Sequence, residues 1–257
     1  MEWIGELMAA CDIQAPVPEA YGAFHLLFMC IGFPVVIILA WKVRNLGETG
    51  SRRLLFCCGL IMLFGEAFKQ CFYYFYVGGG VYIWKMFPFH MCSVPMYFLV
   101  IVPFLKDGPI KSGMCHFMMI YNLLGGCSAY LEPSGMIQPE FIMTVYSFLW
   151  HLMLIFVAFY LGFSNLCAKR MRDFFYATVT LLVLCLMAFC INLLFWDASG
   201  GKLNMFFVGP AITPLIVFHD IAKAAGWYTA TAAYLVLILL GGVVIFLPFY
   251  LSARKKA

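Results

Sequence analysis

Charge is what this sequence has least of. Only 11% of its 257 residues are Asp, Glu, Lys or Arg, against about 25% in soluble domains. With 65% hydrophobic residues, too little polar surface remains to cover a water-soluble fold, and the composition is that of an integral membrane protein with several spans. The net charge of +4 therefore reads by position, as topology, and implies no nucleic-acid partner. Other absences narrow the chemistry. None of the eleven cysteines is spaced C-x-x-C, which argues against a disulfide framework or a structural zinc site. No H-x-x-x-H pair occurs, so neither a metal nor any other cofactor is expected. The last apolar run has no lysine, as a retinal protein would need. The N-terminus carries Glu2, Glu6, Asp12 and Glu19 without a basic residue, the reverse of a signal peptide. No internal repeat is visible, which weighs against a common transporter architecture.

What is present is a series of apolar runs of about 20 residues, the length that crosses a bilayer. Seven are expected, at 23–41, 54–77, 86–105, 112–129, 141–163, 174–196 and 227–251. The predicted fold is all-α, a polytopic membrane helix bundle of seven transmembrane helices in a single membrane domain, 1–257. Residues 1–21 form an outer N-terminal segment. Basic residues gather in alternate connections: Lys42, Arg44, Arg52 and Arg53, then Lys106 and Lys111, then Lys169, Arg170 and Arg172, then Arg254, Lys255 and Lys256. The positive-inside rule puts the N-terminus outside and the C-terminus in the cytoplasm. The longest outer connection, 197–226, has an apolar middle broken by Pro210 and Pro214. It is expected to fold over the bundle mouth as a re-entrant lid.

One run carries chemistry. Phe87-Pro88-Phe89-His90-Met91-Cys92-Ser93-Val94-Pro95 places a histidine, a cysteine and two prolines at membrane depth, where ionisable side chains are costly and mark function by default. At 1.5 Å per residue, Cys92 lies roughly 9 Å and His151 roughly 15 Å below the outer ends of their spans. Glu66, Lys69, Gln70, Asn192, Gly125 and Gly126 fall in the same outer half, and His25 heads the first span on that side. His90 and Cys92, two residues apart, point to different faces of a regular helix. Cys92 with His151 is then the natural pair of nucleophile and base, since a nearby imidazole takes the thiol proton, and His90 supports. A free cysteine is more often a small buried hydrophobe, and a spanning histidine often only bonds a neighbouring helix; the clustering favours a site. Glu66 and Lys69, three apart, read as a neutralising pair, with headgroup binding by Lys69 and Gln70 as the rival. His116 and His219 are expected at polar surfaces.

The hexapeptide Pro88-Phe89-His90-Met91-Cys92-Ser93 resembles the P-L-H-L-C-S signature of the YwaF-type integral membrane family. The resemblance continues through Gly125, Gly126 and Pro133, His151, Asn192, and Gly201, Asn204 and Pro210. That family is similar to an animal transmembrane acyltransferase that remodels ether phospholipids through an active cysteine. More distantly it resembles seven-span lipid-ester hydrolases. The resemblance implies Cys92 as nucleophile and His151 as base, in a protein of the bacterial cytoplasmic membrane. The expected activity is acyl transfer from a phospholipid, through a cysteine thioester, to a lysophospholipid. Asn192 or Asn204 would supply oxyanion or orienting hydrogen bonds. The alternatives are a lipid-ester hydrolase with the same pair, and a non-enzymatic transporter or receptor for a small solute.

Overall fold

The computed structural model describes residues 2–164, 166–167 and 169–254; Lys255 and Lys256 of the basic tail lie outside them. Where water is scarce, backbone groups must bond within their own segment. Helix accordingly takes up 75% of the chain, and no strand occurs among the described residues. Helix α1 is Glu2–Cys11. Helices α2 (Ala23–Leu27) and α3 (Phe33–Lys42) join through a π-turn at Phe28–Gly32. Helix α4 (Glu48–Cys71) ends in a π-helical stretch, Phe72–Val77, against which α1 packs. Then follow α5 (Val94–Ile101), α6 (Pro109–Leu131), α7 (Phe141–Phe163), α8 (Met171–Leu194) and α9 (Ile216–Arg254).

Five stretches are long and apolar enough to cross a membrane: Ala23–Lys42, Glu48–Val77, Phe141–Phe163, Met171–Leu194 and Ile216–Arg254. They define an integral membrane protein and coincide with five of the expected runs. Helix α6 matches a sixth and has 23 residues, but it is more polar. Its position accounts for that: every residue from Cys115 to Leu123 is buried, and α5, α7, α8 and α9 all pack on it. A helix enclosed on every side needs no lipid-matching surface. The outer helices supply that surface, with Val35 and Ile38 on α3, Val183 and Leu186 on α8, and Val236 and Val244 on α9 exposed. His116, expected at a polar surface, is instead buried on α6, its Nδ1 donating to the Ser112 carbonyl at 2.8 Å. Around this end of α6 the bundle is tied by Tyr160 Oη to Ser51 Oγ (2.7 Å) and Ser112 Oγ to Asp173 Oδ1 (2.9 Å).

The run at 86–105 is not one helix. The helical part, Val94–Phe104, spans about 16 Å at 1.5 Å per residue, roughly half the hydrocarbon thickness. Proline is the local cause. Phe87, before Pro88, is driven to an extended conformation (φ −52°, ψ 132°), and helix restarts only where Pro95 fits an N-terminal turn. The last outer connection is shorter than expected, because α9 begins at Ile216 and bends at Gly226 (φ +84°), a conformation open to glycine.

Candidate functional site

Irregular backbone at membrane depth must have its polar groups satisfied by protein. The segment preceding α5 shows how. The Lys85 carbonyl accepts from His90 Nε2 (2.9 Å), the Met86 carbonyl from Gln70 Nε2 (2.6 Å), the Pro88 carbonyl from Tyr97 Oη (2.9 Å) and the Cys92 carbonyl from Trp150 Nε1 (2.9 Å). The His90 carbonyl takes the N–H groups of Ser93 (2.8 Å) and Val94 (3.2 Å). Three helices thus pin one loop: α4 through Gln70, α5 through Tyr97 and α7 through Trp150. The pattern is asymmetric. Most carbonyls are used, while the Met91 N–H donates to no carbonyl among the described residues. The Cys92 N–H likewise donates to no carbonyl among the described residues.

Cys92 sits one residue before Ser93, the N-cap of α5. A helix N-terminus favours negative charge. The Glu66 and Lys69 charges also act on Cys92 and on His90. Lys69 Nζ lies 2.9 Å from Glu66 Oε1, both side chains nearly buried, and Gln70 Nε2 shares that oxygen at 2.7 Å. The expected neutralising pair is therefore present, and Gln70 links it to the cysteine loop through Met86.

His151 lies on α7, next to Trp150. Its Nδ1 faces the Ser147 carbonyl at 2.7 Å. A carbonyl only accepts, so Nδ1 carries the proton and Nε2 presents a lone pair, the form a base requires. By the same reasoning His90 donates from Nε2 and keeps Nδ1 unprotonated. His25 has no such reserve: its Nδ1 accepts from the Tyr21 N–H (2.9 Å) and its Nε2 donates to the Tyr130 carbonyl (3.0 Å). His25 is thus a structural strut rather than a member of the site. His219 bonds the Thr213 carbonyl through Nδ1 at 3.1 Å.

Helix α6 brings the cysteine loop and His151 to one place. A Cβ on Gly125 would stand 3.0 Å from Met91 Cε. One on Gly126 would stand 3.0 Å from Ile155 Cγ1 and 3.6 Å from the His151 carbonyl oxygen. The glycine pair lets α6 approach the loop on one side and α7 on the other. Cys92 and His151 flank this pair and make no hydrogen bond to each other among the described residues.

Asn192 and Asn204 do something other than face the sulfur. Asn192 Nδ2 donates to the Met205 carbonyl (3.0 Å) and its Oδ1 accepts the Met205 N–H (2.6 Å). Asn204 Nδ2 donates to the Ala211 carbonyl (2.6 Å), and its Oδ1 accepts the Gly209 N–H (3.0 Å). Each amide gives one N–H and its oxygen to the 204–211 backbone, which makes holding that segment the role the structure shows for both. They hold an unusual conformation: Phe206 (φ 54°) and Phe207 (φ 56°) are both left-handed, a state that costs bulky residues about 1–3 kcal/mol each and persists only when over-determined. Phe206 packs on Phe89 at 5.8 Å between ring centroids and Phe207 on Tyr234 at 5.9 Å; Tyr234 in turn interacts electrostatically with Cys92. The 204–211 segment thus touches the cysteine stretch through the Phe206–Phe89 contact.

A groove of about 530 Å³ opens beside the same stretch, lined by Phe89, Val94 and Tyr97, by Met114 of α6, and by Val179 and Val183 of α8. Its lining is almost wholly apolar, and its volume falls within the roughly 300–1,000 Å³ of small-molecule sites. Several buried polar atoms near the site have no partner among the described residues: Glu66 Oε2, the Tyr146 hydroxyl, and both amide atoms of Asn122. Asn122 is 2% exposed and lies one turn before the glycine pair on α6. Tyr146 and Asn122 carry no warning in the sequence, since Tyr in a span reads as aromatic filler and the Asn-Leu-Leu context is unremarkable. Among the described residues no three His, Cys, Asp or Glu side chains group as metal ligands.

Fold and site together define a polytopic helical membrane protein whose cysteine loop is flanked in sequence by residues, Phe89 and Val94, that line an apolar groove. The chain belongs to the TMEM164 family, whose profile matches residues 20–247. No curated protein and no solved structure matches it.

Proposed function

We propose that the protein is a membrane lipid acyltransferase that works through Cys92. The observation that carries this reading is the position of Cys92, just before the N-terminus of α5, in a stretch whose Phe89 and Val94 line an almost wholly apolar groove. The sulfur attacks a phospholipid acyl ester, His151 Nε2 takes the thiol proton, and the alcohol leaves with that proton. The developing oxyanion lies against the N–H groups of Met91 and Cys92. A lysolipid hydroxyl then receives the acyl group. Cys92 and His151 share no hydrogen bond in the described structure, and their contact is one that forms as the site tightens around its substrate. The resemblance to cysteine acyltransferases of ether phospholipids supports the same chemistry. If water is the acceptor, the same parts make a lipid-ester hydrolase.

We further propose seven crossings, with the N-terminus outside. Helix α6 supplies one, and α5 with its preceding loop another. The distribution of basic residues supports this orientation. The test of the activity is the mass of the intact protein after incubation with phospholipid vesicles. The expected result is a single acyl adduct that maps to Cys92 and is absent from Cys92→Ala. Acyl transfer by Cys92→Ala at the wild-type rate would refute the mechanism.

A further inference from the structure

We propose that Glu66 Oε2 and the Tyr146 hydroxyl form the subsite that receives the hydroxyl group of the acyl acceptor. The proposal rests on the acyl-enzyme reading above and extends it to the second half of the reaction.

Glu66 is 5% exposed. Its two oxygens differ sharply. Oε1 takes both Lys69 Nζ and Gln70 Nε2, whereas Oε2 is buried without a partner. A buried carboxylate oxygen left unbonded is costly, and the facing helix α7 carries a second buried group without a partner among the described residues, the Tyr146 hydroxyl. The two meet at the α4–α7 contact: the Tyr146 oxygen is 3.9 Å from where a Gly65 Cβ would lie, and Gly65 precedes Glu66. Tyr146 is within electrostatic reach of both Glu66 and Cys92.

Charge decides what fits. Lys69 already neutralises Glu66, so a second cation gains little there, and the free oxygen calls for a neutral donor. The Tyr146 phenol can donate to the same ligand atom. One acceptor and one donor are the complement of an alcohol. An acceptor hydroxyl held there gives its proton to Glu66 as its oxygen attacks the thioester carbonyl. The carbon–sulfur bond then breaks, and the proton passes to the departing sulfur. Thioester and alcohol become ester and thiol, and Glu66 ends as it began.

The test begins with binding, which needs no chemistry. Cys92→Ala protein in lipid nanodiscs is titrated with oleoyl lysophosphatidylcholine and with its deoxy analogue, which lacks the free glycerol hydroxyl. The hydroxyl lipid should bind at least about tenfold more tightly. Adding Glu66→Gln or Tyr146→Phe should bring the ratio towards one. Equal affinities in the Cys92→Ala protein, or an undiminished ratio in both double variants, would overturn the proposal. In the Cys92-containing protein, Tyr146→Phe should leave adduct formation at the wild-type rate and slow transfer to the lysolipid about tenfold, so that the adduct accumulates. Equal slowing of both steps would count against the subsite. If no adduct forms on wild-type protein, the acyl-enzyme reading fails, while the affinity ratio still decides the subsite.

Discussion

Replacing Trp150 by Phe removes one hydrogen bond and little else. The indole Nε1 donates to the Cys92 carbonyl at 2.9 Å, while its ring packs near Tyr146 and the Gly65 surface of α4. Phenylalanine keeps most of that packing. On the proposed crossing of this segment the carbonyl it abandons lies at membrane depth, where no bulk water replaces the donor, so the loss is that of an unsatisfied buried acceptor, about 1–3 kcal/mol. The penalty falls on the loop that fixes the sulfur. If that geometry is what positions Cys92 against an ester, it emerges as a roughly 5–150-fold slower acylation at 1.36 kcal/mol per tenfold. The assay is the time course of the Cys92 acyl adduct by peptide mapping, run beside a thermal melt in the same detergent. Slowed acylation with a small change in melting is the expected outcome. Wild-type acylation in a protein that has lost the bond would show that the Trp150 contact holds the fold and not the reacting group.

The two histidines separate by role. His151→Ala should slow acylation by about 10²–10⁴, the usual contribution of a general base, and His90→Ala by far less, measured on the same adduct; the reverse order would move the base to His90 Nδ1. Asn192→Ala leaves the Met205 N–H and carbonyl unpaired, a loss of roughly 2–6 kcal/mol for two buried groups. It should lower thermal stability yet leave acylation below the melt near normal; an intact fold with acylation cut about 10²–10³ would restore Asn192 as an oxyanion donor. At the start of α6, Lys111 bonds Asp107 at 2.7 Å and holds its carboxyl below the ordinary 3.8. A depressed folded value means that the pair stabilises fully above the unfolded value and fades as pH falls through the folded one. Asp107→Asn should therefore melt lower than wild type at pH 6, and the two should converge in strong acid; a gap that persists there would assign the effect to packing.

Much of the bundle was legible because apolar length is a blunt and physical signal. The expected runs at 23–41, 54–77, 141–163, 174–196 and 227–251 each fall on a helix that can cross a bilayer. The run at 86–105 was apolar enough to look like the others, and composition alone does not say where backbone hydrogen bonds go. Pro88 and Pro95 announced trouble there. The resolution depended on Gln70, Tyr97 and Trp150, which lie 16, 9 and 58 positions from the carbonyls they satisfy, a pairing that no local pattern encodes.

The polar residues divide along the same line. Glu66 with Lys69 was readable, since three-residue spacing on a helix is geometry. Asn192 was readable as important and not as to why: an amide in a span signals a hydrogen-bonding need, but only the fold reveals that the need belongs to Met205. His25 and His151 look alike in sequence, each a single histidine among apolar neighbours. They differ in what their second nitrogen meets, the Tyr130 carbonyl for His25 and no hydrogen-bond partner among the described residues for His151. Chemistry here is carried by what is left over after the fold has used its donors and acceptors. The Met91 N–H, His151 Nε2, Glu66 Oε2 and the Tyr146 hydroxyl are the remainder among the described residues, contributed by the loop before α5, by α7 and by α4, and a remainder can be read only after the pairing is known.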